Sequence, residues 1–349
     1  MRSSYSEDDV IILLKDITGL VKPQPTEERE RLIQAGKHYC EMLPIEYVPS
    51  EKYMETYRNA LKNYADLTAD AIGKLADKII NKKGKNVVLV SLARAGIPIG
   101  ILLKRYIRWK YHTDVMHYSI SIIRGKGIDD NAMKYILSRH NAGDVLFVDG
   151  WVGKGAIRYE LKKEVEKYEG LSDELAVVAD PANITELFGT NADILIPSSC
   201  LNSTVSGLIS RTFLRDDIIG KDDFHGAVFY ENLRNEDLSN EFINEIVSNF
   251  RKVNNETNVI LKHSGIEKVK EIADWFHINN INLIKPGIGE TTRVLLRRVP
   301  WKVLIDKNCK DDVSLKHIMK LAEEKDVTVE YYSLGNYKVC GIIKNLADA

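Results

Sequence analysis

Leu146-Phe147-Val148-Asp149-Gly150-Trp151-Val152-Gly153-Lys154-Gly155-Ala156-Ile157 decides how the rest of the chain is read. An apolar run ends at the carboxylate of Asp149, Gly150, Gly153, Lys154 and Gly155 crowd together behind it, and a charged, helix-like segment follows. The pattern predicts strand, tight loop, helix. Glycine permits φ > 0 and close approach of the backbone to a ligand, and the free amides that open a helix attract an anion. The loop therefore reads as a phosphate cradle, with Lys154 as a point charge. The same residues also describe a tight turn after a buried strand, with Lys154 solvated.

The spacing narrows the choice. A Walker loop needs Ser or Thr after its lysine, whereas Lys154 is followed by Gly155, and the dinucleotide pattern G-x-G-x-x-G is missing. A second strand-to-loop-to-helix unit precedes it: Asn86–Leu92 is β-rich, breaks into Ala93-Arg94-Ala95-Gly96 and continues as a helix through about Lys110. Two such loops following strands of one parallel sheet face one cleft at its C-terminal edge. Between them fit a strand near His117–Ile123 and a helix over 129–139 capped by Asp129. Arg124-Gly125-Lys126-Gly127 is either a mobile basic loop that closes over phosphates or a solvated turn. Further strands are expected at Leu175–Ala179 and Ala192–Pro197, the second leading into a run with Ser198, Ser199, Ser203 and Thr204. That hydroxyl-rich run before a helix either binds an anion or polar base or over-caps the helix.

On these residues the stretch resembles the phosphoribosyl pyrophosphate motif of type I phosphoribosyltransferases. Asp149 falls on the motif's first acid and Gly155 on its loop glycine, Gly150 replaces the second acid, and Gly153-Lys154 replace two threonines. Arg94-Ala95-Gly96 resembles the pyrophosphate loop of that family. The resemblance implies an α/β, Rossmann-like domain with a parallel sheet, and an enzyme that transfers a phosphoribosyl group to a nitrogenous base to give a nucleoside-like metabolite. It implies that Arg94, the Ala95 and Gly96 amides and Mg²⁺ stabilise the leaving pyrophosphate. Asp149, beside Gly150, would hold the ribose and, with substrate, the metal. Gly153, Lys154 and Gly155 would hold the 5′-phosphate, Arg124 or Lys126 would close the site, and Trp151 would stack on the base or pack. An alternative keeps the binding without turnover, as a nucleotide-sensing RNA-binding regulator.

The thiols offer a second alternative. Cys40, Cys200, Cys309 and Cys340 are scattered, without C-x-x-C or zinc spacing, as expected for reduced thiols in a cytoplasmic protein. Cys200, placed before a helix, could be a peptidase nucleophile with His225 or His140 as base. It could equally be a packing residue. The net charge of -1 over 349 residues excludes nucleic-acid binding by bulk charge and leaves room for a local basic patch. Val10–Leu14 is too short an apolar run to span a membrane, so no membrane partner is expected, while a homo-oligomer stays open.

Three regions are expected: a helical extension over 1–84, the α/β domain over 85–252 with a helical hood, and a second domain over 253–349. In the first, residues 7–18 predict a short helix, Thr26 caps another after Pro23-Gln24-Pro25, residues 39–44 are irregular, and helical spacing from Ser50 through Ile79 predicts a long amphipathic helix. Past the polar break at Lys252–Asn258, strands at Val259–Leu261, Leu283–Ile284, Val303–Ile305 and Val327–Tyr332 alternate with helices, giving an α/β/α sandwich. Within it, Lys285-Pro286-Gly287-Ile288-Gly289-Glu290-Thr291-Thr292-Arg293 with Arg297 and Arg298 resembles the RNA-binding turn of Pelota and the ribosomal kink-turn binders. Gly287, Glu290 and Arg293 fit, and Gly289 stands where Asn is expected. The resemblance implies structured RNA as a partner, its phosphates held by Lys285, Arg293, Arg297 and Arg298, with Glu290 reading a guanine edge. The pairing of the two domains resembles a bacterial family found with tellurite-resistance stress genes, members of which are also labelled cysteine proteases of the StiP type.

Overall fold

Leu175–Ala179 is apolar on both faces and Val88–Leu92 is so except for Ser91, and every residue of both is buried. That is the signature of parallel strands covered by helices on both sides. In the computed structural model, which describes residues 1–252 and 264–344, they belong to a parallel sheet of β1 (Ile11–Ile12), β2 (Val88–Leu92), β3 (Met116–Ile120), β4 (Val145–Trp151), β5 (Leu175–Ala179) and β6 (Phe188–Thr190), in the order β1-β3-β2-β4-β5-β6. Chain connections leave β2 toward β3 and leave β4 toward β5, so the strand order reverses between β2 and β4. Ligands of open α/β sheets bind at that crevice.

The helices are α1 (Thr26–Gln34), α2 (Glu51–Lys83), α3 (Gly96–Tyr111), α4 (Asp130–Leu137), α5 (Ala156–Val165), α6 (Ser239–Ser248), α7 (Gly265–Trp275), α8 (Ile288–Arg297) and α9 (Lys316–Glu324). The long helix expected from Ser50 is α2, its Tyr57, Leu61, Ile72, Leu75 and Ile79 forming the buried stripe. At 33 residues it spans about 50 Å, enough to serve both domains: Lys52 pairs with Glu324, and the Tyr53 hydroxyl donates to the Leu296 carbonyl. Asp129 caps α4 as expected, accepting from the Asn131 and Ala132 amides.

Several expectations are corrected. Residues 7–18 form no helix: Ile11–Ile12 add an edge strand to the sheet and Lys15–Asp16 pair with Gly226–Ala227, because the β-branched run has strand β3 to pair with. Pro25, not Thr26, is the N-cap of α1. Residues 192–196 are not a strand, and Phe188–Thr190 occupies the sheet edge instead. Asp193 is drawn off to bond the second domain. Only the 3₁₀ turns Pro197–Cys200 and Ser203–Val205 follow, so the hydroxyl-rich run opens no α-helix.

The second domain has β7 (Ile284–Pro286), β8 (Pro300–Asp306), β9 (Thr328–Tyr332) and β10 (Val339–Ile343) in the order β7-β10-β8-β9. The central strand β10 was not among the expected elements. The expected break at 252–258 and strand at 259–261 fall at or within residues 253–263, outside the described residues. The two sheets share a continuous apolar cluster in which Ile288, Leu295 and Val303 meet Leu195, Ile196 and Cys200. Among the described residues no helix is long and apolar enough to cross a membrane.

Candidate functional site

The ends of β2 and β4 bring the two sequence-predicted loops together. A Cβ on Gly96 would lie 2.4 Å from the Val148 carbonyl oxygen and 3.3 Å from the Asp149 Cα, so only glycine allows this approach. Gly150 faces the Ala95 carbonyl. Strand pairing continues through Gly150 to Trp151, which registers with Ala179, and the turn is confined to Val152–Gly155. Gly155, at φ 88, supplies the left-handed residue that starts α5. Asp149 is held at the strand end by the Gly150 amide at 2.7 Å. Burial pushes its carboxyl up to about 7 against the pull of that amide and of Arg293.

The cradle is filled by protein. The Tyr337 hydroxyl donates to the Gly153 carbonyl at 2.6 Å, and Lys154 Nζ donates to the Ile281 carbonyl at 2.5 Å. Burial first, then the nearby cations Lys285 and Arg124, push the Lys154 ammonium down to about 8. Asp193, 4% exposed, accepts from the Ile288 and Lys338 amides, each at 2.9 Å. The space left among Trp151, Gly153, Asp193, Ser199 and Glu290 is a cavity of ≈ 10 Å³, about one water's worth. In this arrangement no phosphoribosyl group enters the loop.

The same docking uses up the expected RNA-reading turn. Gly287, Ile288 and Gly289 are buried, and Gly289 packs against Ser199. Glu290 bonds the Trp151 side chain; burial raises its carboxyl, and Arg293, Lys285 and Lys154 outweigh that and leave it below the ordinary value. Arg293 pairs with Glu290 at 3.4 Å and stands over the Trp151 ring at 5.8 Å. Arg297 donates to the Cys200 carbonyl at 2.7 Å and to Asn202. Lys285 is half-buried and its ammonium is lowered by burial. Of the expected RNA contacts, Arg298 is exposed, and Lys285, Glu290, Arg293 and Arg297 are half-buried. A free RNA-binding face is therefore not what these residues form here.

The hydroxyl run is not an open subsite either. Ser199, Ser203 and Thr204 are buried and Ser198 is half-buried; the Ser203 amide donates to Glu46 at 3.3 Å and the Thr204 carbonyl accepts from Leu238.

Cys200 lacks a base in this geometry. It is the last residue of a four-residue 3₁₀ turn, so no helix amides point at it, and like Cys40 it is fully buried. Burial pushes its thiol up to about 12. Neither candidate base faces it: His225 Nδ1 bonds Ser121 at 2.9 Å, and His140 bonds the Tyr118 hydroxyl at 2.9 Å.

A different thiol has a base. His38 caps the 3₁₀ turn Tyr39–Glu41, and its Nδ1 lies 2.9 Å from Cys40 Sγ and 3.3 Å from the Cys40 amide. Its Nε2 lies 3.1 Å from the Arg124 carbonyl. A carbonyl only accepts, so Nε2 carries the proton and Nδ1 is left as the acceptor facing sulfur. Nucleophile, base and orienting group are thus in line. The hairpin Ile122–Ile123/Gly127–Ile128, whose tip is the expected basic loop, covers this pair: the Arg124 amide donates to the Tyr39 hydroxyl at 3.1 Å, the Gly125 amide donates to Glu160 at 2.9 Å, and Lys126 is exposed at the tip. Burial, then Glu41, push the Cys40 thiol up to about 11 against Lys126 and Arg211, so Cys40 rests as a thiol. The signal in the sequence was His-x-Cys in a segment without helical or strand periodicity.

Toward Mg²⁺, Gly150 stands where the second acid is expected, the Gly150 amide occupies one oxygen of Asp149, and among the described residues no three His, Cys, Asp or Glu side chains converge as direct metal ligands.

Fold and site together define a class: a two-domain α/β protein in which a parallel sheet stands beside a thiol–imidazole pair and a second domain closes the sheet's crevice. The family model described as "Tellurite-like stress resistance cysteine protease StiP" matches residues 3–247, and that of the "PELOTA RNA binding domain" matches residues 263–345. A curated relative, "Cysteine protease StiP" of Acinetobacter baylyi (strain ATCC 33305 / BD413 / ADP1), is 35% identical over 98% of this chain and 94% of its own length. The chain belongs to the StiP family, and its C-terminal part carries a Pelota-type domain. Among solved structures, a hypoxanthine-guanine phosphoribosyltransferase of Bacillus anthracis str. 'Ames Ancestor' is 17% identical over 36% of this chain and 77% of its own, at a TM-score of 0.28. A hypothetical protein of Neisseria gonorrhoeae with bound ppGpp is 18% identical over 35% of this chain and 77% of its own, at 0.25. Likenesses of that size carry no functional argument. The family overturns the transferase expectation, in agreement with the filled cradle.

Proposed function

We propose that this chain is a cysteine peptidase whose nucleophile is Cys40 and whose base is His38. The observation that carries the reading is the 2.9 Å approach of His38 Nδ1 to Cys40 Sγ, with the ring oriented by the Arg124 carbonyl. In the reaction Nδ1 takes the thiol proton as sulfur attacks the scissile carbonyl carbon. The proton passes to the departing amine as the C–N bond breaks, and water then cleaves the thioester and returns the thiol. Burial of Cys40 means that substrate reaches it only when the Arg124–Lys126 hairpin lifts; the closed state is latent. The Pelota match supports RNA as a partner of the second domain, and its docked turn means that RNA of the expected kind meets it only after the domains part.

Cleavage of an unfolded protein substrate by wild type, Cys40→Ala and Cys200→Ser is the test. Activity should vanish with Cys40→Ala and persist in Cys200→Ser. The opposite pattern returns the nucleophile to Cys200 and refutes the pair.

A further inference from the structure

Beside the Cys40–His38 pair lies a group of half-buried and buried donors that the peptidase reading does not use. Arg211 Nη2 donates to the Tyr39 carbonyl at 2.7 Å and the Met42 carbonyl at 3.1 Å, bracketing Cys40. Its Nε is buried without a partner. The Tyr230 hydroxyl, on a residue only 6% exposed, is likewise buried without a partner. Tyr230 lies along the same chain segment as Arg211, since its amide donates to the Leu208 carbonyl at 2.9 Å and Phe229 bridges Ile209. Arg94 ties into that segment through the Ile209 carbonyl at 2.9 Å. Arg29 and Arg298 add their charge to that of Arg94 around Arg211, while Glu46 is the acid facing Tyr230. Cations outnumber acids here, and both unpartnered groups are donors. A buried donor left without an acceptor is costly, and a planar acceptor-only anion satisfies a guanidinium and a phenol together.

We propose that Arg211, Tyr230 and Arg94 form a carboxylate subsite next to Cys40, which selects peptides carrying Asp or Glu beside the scissile bond. The inference rests on the peptidase reading for its place in the reaction, and the site's capacity for a carboxylate stands on the donors themselves. Arg94 then has a role that does not depend on a pyrophosphate. Tyr39, its ring centroid 5.7 Å from the Arg124 guanidinium and 5.6 Å from that of Arg211, walls the subsite toward the hairpin.

The full chain carrying Cys40→Ala, which cannot turn substrate over, is titrated by fluorescence anisotropy with short labelled peptides differing at one position: Glu, Gln or phosphoserine. Glu should bind about tenfold more tightly than Gln, and the advantage should fall to about twofold or less in Tyr230→Phe and in Arg211→Lys. Tyr230→Phe removes one oxygen and keeps the packing, so it reads the subsite even where Arg211→Lys disturbs the turn. Equal binding of Glu and Gln, no binding of either, or a preference for phosphoserine overturns the carboxylate assignment. Cleavage by wild type is measured in parallel. Acid-selective binding with cleavage that survives Cys40→Ala sinks the nucleophile and leaves the subsite, whereas Cys40-dependent cleavage without acid preference does the reverse.

Discussion

Replacing Arg297 by Ala separates two roles for one side chain. From the sequence Arg297 is an RNA phosphate contact, and loss of such a contact on an open surface would leave folding nearly unchanged. In the structure it is a strut between domains, donating to the Cys200 carbonyl at 2.7 Å and to Asn202. Its guanidinium stands over the Tyr53 ring, 5.8 Å from the centroid. Burial first, then Arg293 and Arg94, push the guanidinium down to about 10, so it stays charged at neutral pH while paying for its desolvation. Two charge-assisted hydrogen bonds, less that desolvation and plus an orphaned buried carbonyl in the variant, put the cost of Arg297→Ala at about 3 kcal/mol. Urea unfolding followed by tryptophan fluorescence at pH 7.5 measures it, and Arg297→Lys, which keeps charge and loses the fork, should recover less than half of the loss. A loss below about 0.5 kcal/mol, the range of ordinary surface substitutions, together with weaker RNA binding would refute the strut.

Alkylation of Cys40 by iodoacetamide in the resting protein should be slow at pH 7.5 and climb about tenfold per pH unit to pH 10, because burial holds the thiol near 11; a plateau already reached at pH 7 would mean a resting thiolate–imidazolium pair. His117, buried between Ser91 and the Asp9 carbonyl, is pushed down to about 4 by burial. Its folded value lies below the unfolded one, so the stability it contributes is complete above about pH 6.5 and is lost, by about 3 kcal/mol in total, as pH falls toward 4. Unfolding titrations of wild type and His117→Gln across that window check it, and parallel pH curves would contradict it. Tyr337→Phe removes the hydroxyl bond to Gly153 and should loosen the docking by about 1 kcal/mol. Full-length protein carrying it together with Arg297→Lys should bind a kink-turn RNA more tightly than wild type in a gel shift, and weaker binding would show that RNA reads the closed form.

The sequence by itself determined the local rules. Largely apolar runs at Val88–Leu92 and Val145–Val148, each soon followed by small residues, made parallel strands with loops at one edge, and the spacing of α2 made its buried stripe. Gly96 and Gly155 were legible because close approach and a positive φ leave no other residue. Residues 11–12 were not legible as a strand, since a short β-branched run becomes one only when a partner edge, here β3, is free. The site divided in the same way. Asp149 and Arg94 could be placed together from strand order, yet what occupies the cradle between them was decided by Tyr337, Asp193 and Arg297, groups that lie outside both loops. Cys40 and His38 are two residues apart, yet the His-x-Cys signal does not suffice alone, because it is a base and nucleophile only when the ring's far nitrogen is pinned, and the pin is the Arg124 carbonyl, 86 residues further along the chain. Sequence fixes which groups are available, while tertiary packing decides which of them are desolvated, paired or left with an unsatisfied donor, and chemistry follows from that second decision.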